Sequence, residues 1–93
     1  MAISGDFGAL VLLAWRGELT LDALLNAAAE LDAQGAAPLA AVLYQTWLAR
    51  TESPYLHVGH FNLGVILVNL GDFKAAEAAY RRASEIAPNF VHP

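Results

Sequence analysis

The sequence predicts an all-α chain of about five helices arranged in antiparallel pairs, and three observations predict it. Apolar residues recur at intervals of three and four over five separate stretches, the period of a helix with one buried face. Each stretch is bounded by residues that start or stop helices, among them Thr20, Gly35, Pro38, Gly71, Asp72 and Pro88. Finally, two of the pairs share a register: Ala28 with Gly64, Leu31 with Leu67, Gly35 with Gly71, Ala40 with Ala76 and Tyr44 with Tyr80 all lie 36 residues apart.

The elements follow in order. Ser4-Gly5-Asp6 reads as a helix start, Phe7, Leu10, Val11, Ala14 and Trp15 form a stripe, and Gly17 ends it, giving a short helix from about Asp6 to Arg16. Thr20 is a good N-cap, Asp22 favours the first turn, and Leu21, Leu24, Leu25, Ala28 and Leu31 carry a second helix to Gln34. Pro38 fits the first turn of a third, whose apolar side is Leu39, Ala40, Leu43, Tyr44, Trp47 and Leu48, ending near Arg50. Thr51-Glu52-Ser53-Pro54 breaks the chain before a fourth helix over 57–70. A fifth runs from Phe73 to Ala87, with Phe73, Ala76, Tyr80, Ala83 and Ala87 on one side and Lys74, Glu77, Arg81 and Glu85 on the other. Glu77 with Arg81 and Arg81 with Glu85 stand one turn apart, each pair contributing about 0.2–0.5 kcal/mol. Gly64 and Ala76 are small where two paired helices would come closest, so a bulkier side chain there would force the axes apart.

The order His60-x2-Leu63-Gly64-x2-Leu67, Gly71-x-Phe73, Ala76-x3-Tyr80, Ala83, Pro88 resembles the tetratricopeptide repeat, a helix-turn-helix unit of about 34 residues. His60 stands where that family prefers Trp, and Leu67 where it prefers Tyr. The resemblance implies a right-handed superhelix of antiparallel helix pairs. It divides the chain into an N-terminal capping helix (1–19), a degenerate repeat unit (20–54), a clear unit (55–90) and the start of a next repeat (91–93). In the degenerate unit Trp47 replaces the family's Ala, which puts the packing at the end of that hairpin in question. Gly5-Asp6-Phe7 echoes Gly71-Asp72-Phe73, so the first helix reads either as a worn second helix of a repeat or as a cap over an exposed apolar face. Stacked repeats bury a continuous core only when about three or more are present, so the polypeptide is expected to be a piece of a longer repeat protein.

Composition narrows the classes. The chain has 93 residues, 57% of them hydrophobic, no cysteine and a net charge of -4 with only five Lys and Arg. Mean hydropathy is +0.43, yet no 18-residue run is uniformly apolar, so no transmembrane helix is expected. No basic residue precedes the apolar run from Phe7, which argues against a signal peptide and for a cytoplasmic chain. Nucleic acid and anionic membrane are not expected as partners, because the basic footprint they need is missing. His57 and His60 have metal-ligand spacing but no acidic or thiol third ligand near them in sequence, and no catalytic motif is present. The expectation is therefore no metal, no cofactor and no enzyme activity in this chain.

A protein or peptide partner is what the family resemblance implies, held in a concave groove lined by the first helix of each pair. Asn26 and Asn62 hold the same place in the two units, and a carboxamide offers both donor and acceptor to a peptide backbone. An inward ladder of asparagines of this kind resembles the repeat domain of O-linked N-acetylglucosamine transferases, and Asn69 extends the same face. Phe61, Val65 and Val68 complete the candidate binding residues and leave the fourth helix apolar almost all round, as a helix covered on both sides is. That face admits an amphipathic partner helix or a homodimer. The resemblance also allows a substrate-presenting repeat domain of a larger enzyme. The carboxylate-clamp subclass of the family, by contrast, places Lys and Arg on inner helices, whereas Lys74, Arg81 and Arg82 lie on the outer one.

Overall fold

Five helices follow one another in the computed structural model: α1 (Ala2–Trp15), α2 (Leu21–Ala33), α3 (Ala37–Arg50), α4 (Leu56–Asn69) and α5 (Phe73–Ile86). The structure describes residues 2–89, with side chains from residue 7 onward, and no strand occurs among the described residues. The expected start of a further repeat at 91–93 lies outside them. The architecture is an all-α, tetratricopeptide-like helical repeat.

Three of the helices end in the same way. Gly17, Gly35 and Gly71 adopt φ of 73°, 79° and 81°, the left-handed region open to glycine. At each, two backbone N–H groups turn back onto the last turn: Gly35 to Asp32 and Ala36 to Leu31, Gly71 to Val68 and Asp72 to Leu67, Gly17 to Ala14 and Glu18 to Leu13. This is the Schellman arrangement, which satisfies carbonyls that a helix end otherwise leaves unpaired. The helices that start after polar residues are capped as expected. Thr20 Oγ1 accepts from the Ala23 N–H and Asp72 Oδ1 from the Ala75 N–H, each at 3.2 Å.

With α2 and α3 joined by a tight turn and α4 returning along α3, α2 and α4 run the same way. Packing pairs α2 with α3, α3 with α4, α4 with α5, and α1 with α3. The third helix thus meets three neighbours, which is why Ala40, Ala41, Leu43, Tyr44 and Trp47 are all buried. Its C-terminal end is a junction. The Trp47 indole N–H donates to the Leu19 carbonyl at 2.8 Å, joining α3 to the α1–α2 connection. The same ring lies over Gly59, where a Cβ would come within 2.8 Å of Trp47 Cζ3. Nearby, Arg50 Nε donates to the Trp15 carbonyl at 2.8 Å and its guanidinium stacks 4.0 Å from the Trp15 ring centroid.

Several expectations are corrected here. The first helix begins at Ala2, so Ser4-Gly5-Asp6 lies inside it and does not start it. It packs on α3 instead of standing beside α2 as α3 stands beside α4, which does not fit a worn second helix of a repeat. Trp47, the departure that put the first hairpin in question, is 1% exposed and the largest fully buried side chain. Gly64 does make room, but for a ring: a Cβ there would meet Tyr80 Cε1 at 2.7 Å, and Tyr80 stacks at 54° on Phe61 with centroids 5.4 Å apart. Phe73 is 66% exposed. Helical side chains lean toward the N-terminus, so that of a first residue projects past the helix end and off its neighbour. Leu70, beyond the last turn of α4, is likewise exposed. Arg81 pairs with Glu77 at 3.4 Å, but Glu85 pairs with Arg82 at 3.4 Å and not with Arg81. An acid four residues before its base is the better-oriented pair, so Arg81 goes to Glu77.

Candidate functional site: the groove between α2 and α4

The two inner helices do not close on each other. Tyr44 of α3 stands between them, and a groove of about 310 Å³ remains, walled by Leu25, Ala28, Ala29 and Asp32 of α2 and by Asn62, Val65 and Ile66 of α4. On α2 these four residues follow the i, i+3, i+4, i+7 rule, so one face of the helix supplies the whole wall. Small Ala28 and Ala29 leave the volume, and Leu25, Val65, Ile66 and the Tyr44 ring make it apolar.

The polar groups are few. Asn62 is half-buried, and its Nδ2 donates to the Val58 carbonyl one turn earlier at 2.9 Å, which uses one of its two N–H groups. Burial pushes the Tyr44 phenol up to about 12. Asp32 is exposed at the groove's edge. Away from the groove, burial and then the nearby Arg82 charge hold His60 below the usual histidine range.

Of the residues chosen from sequence, Asn62 and Val65 line this groove. Phe61 packs on Tyr80 of α5, so its ring serves the α4–α5 contact. Asn26 is exposed and sits one residue, about 100° of helix, from Leu25, which turns it off the lining stripe. Val68 and Asn69 are exposed further along α4. Leu25, Ala28, Ala29, Asp32, Tyr44 and Ile66 line the groove without being among the residues chosen from sequence. On α2 the i, i+3, i+4, i+7 spacing of Leu25, Ala28, Ala29 and Asp32 is a signal available in the sequence, but Leu25 and Ala28 read there as part of the helix's core stripe.

Among the described residues no three or more of His, Asp and Glu gather as a metal site. No helix among them is long and apolar enough to cross a membrane.

The fold and the groove define a helical-repeat chain with an inter-helix cleft. Residues 57–90 match the family model of the tetratricopeptide repeat, which supports that family for this chain and suggests a protein–protein interaction module. The match covers α4 and α5, one wall of the groove. Nothing significant matches among curated proteins or among solved structures.

Proposed function

We propose that the chain is a protein-interaction module that takes a peptide or one face of a partner helix into the groove between α2 and α4. The observation that carries this reading is the groove itself, apolar along both walls with a carboxamide at Asn62 and room between the helices. Apolar side chains of the occupant would replace water against Leu25, Val65 and Ile66, and Asn62 would supply directional hydrogen bonding to its backbone. Asn26, Val68 and Asn69 would then act as outlying contacts along the same inner helices. A single carboxamide contributes about 0.5–1.5 kcal/mol, so the affinity comes mainly from apolar burial.

The test is a peptide-display selection on the chain, followed by calorimetry with a selected peptide. Val65→Arg should weaken binding by at least about tenfold by placing a charge against the apolar wall, and Asn62→Ala by about two- to tenfold. Binding indifferent to Val65→Arg would refute the groove. Self-association through this face would be seen as a mass that rises with concentration and falls in the Val65→Arg variant.

A further inference from the structure

We infer that the groove selects an occupant carrying a basic side chain, Lys or Arg, next to its apolar anchor, with Asp32 as the recognising group. This rests on the groove reading above and concerns the polarity of what enters it.

The charge pattern around the groove has one sign. Asp32 is the only Asp, Glu, Lys or Arg in its lining. The charges of α2 are Asp22, Glu30 and Asp32, all acidic, and α4 carries no Asp, Glu, Lys or Arg at all. Neither helix has a basic residue in its last turn. Because α2 and α4 run in the same direction, both carbonyl ends lie at the Asp32 end of the groove, each equivalent to roughly half a negative charge. The two histidines of α4 sit in its first two turns, toward the other end. The ion pairs among the described residues, Arg81 with Glu77 and Arg82 with Glu85, are on α5 and leave Asp32 out.

A carboxylate joined by two helix C-termini, at the rim of an apolar cleft, attracts a cation and repels an acidic peptide. A second copy of the chain is poorly suited to fill the cleft, since it carries the same net charge of -4 and meets the acidic rim with like charge. The occupant that fits is a segment of a different protein, with one or two apolar side chains followed by a Lys or Arg.

The experiment uses the 93-residue chain and a random 12-residue peptide-display library, with selected peptides synthesised and titrated. Peptides that lose binding in Val65→Arg should be enriched in Lys and Arg. Their affinity should fall about two- to fivefold in Asp32→Asn, as for a partly exposed ion pair. In Asp32→Lys the fall should be about tenfold or more, and selection on that variant should yield Asp and Glu instead. Asp22→Asn removes the same charge from the first turn of α2 and should leave the affinity within about twofold. An equal loss in Asp22→Asn and Asp32→Asn would mean attraction to overall charge and would overturn the inference. So would groove-competed peptides with no basic enrichment, an outcome that leaves the groove reading intact. Selected peptides indifferent to Val65→Arg, or a selection that yields no binders, would overturn both.

Discussion

Gly59→Ala is the sharpest perturbation of the fold. Glycine inside a helix normally costs about 0.5–1 kcal/mol relative to alanine, so the exchange would stabilise an open site. Here the added methyl would stand 2.8 Å from Trp47 Cζ3, 3.1 Å from Cε3 and 3.0 Å from Leu48 Cδ2. The indole has nowhere to go, because it is 1% exposed and held by its bond to the Leu19 carbonyl. Overpacking of a filled core costs about 1–3 kcal/mol, which outweighs the gain in helix propensity and leaves a net loss of about 1–2 kcal/mol. In a domain of this size that lowers Tm by roughly 5–15 °C. Gly8→Ala is the control: nothing lies within 4 Å of a Cβ there, so it should raise stability by about 0.5–1 kcal/mol. Adding Trp47→Phe to Gly59→Ala should recover part of the loss, a coupling of about 0.5 kcal/mol or more. Urea melts followed by circular dichroism on these three variants, on Trp47→Phe alone and on the parent chain supply every value needed. If Gly59→Ala stabilises the chain as Gly8→Ala does, the α3–α4 junction is not built as described.

Three further outcomes follow from the core. Trp47→Phe leaves the Leu19 carbonyl without its donor and should cost about 1–3 kcal/mol, read from the urea midpoint. In a Trp15→Phe background the remaining tryptophan should emit in the blue and shift red on unfolding, since Trp15 is 55% exposed and Trp47 is buried; a red emission from the folded chain would contradict its burial. Tyr44 supplies an alkaline dependence. From pH 10 upward the unfolded chain ionises this phenol while the fold holds it neutral to about 12, so the unfolded state binds fewer protons and stability falls as pH rises. The loss by pH 12 should be about 1–3 kcal/mol and should be missing in Tyr44→Phe, so parallel curves for the two proteins would exclude it.

Much of the fold was legible because its signals are local. Thr20 and Asp72 cap where a short polar side chain precedes an apolar stripe, and Gly35 and Gly71 stop helices because they accept positive φ. The candidate site was legible only in part. Asn62 and Val65 could be placed on the groove from the pattern of α4, but Phe61, on the same helix, is drawn to the Tyr80 ring of α5. Periodicity gives the angle of a side chain around its own helix and says nothing about which neighbour waits there.

The sequence by itself determined the five helices, their ends apart from the start of α1, and the 36-residue register, since backbone dihedrals, capping and apolar spacing depend on residues a turn or two apart. Only the tertiary structure decided that α1 lies against α3, that Trp47 rests on Gly59 and donates to Leu19, and that a cleft stays open above Tyr44 with Asp32 at its rim. Those arrangements bring together residues up to 41 positions apart, as with Leu25 and Ile66 on the two walls of the groove, and are set by which side chains fill the space between helices.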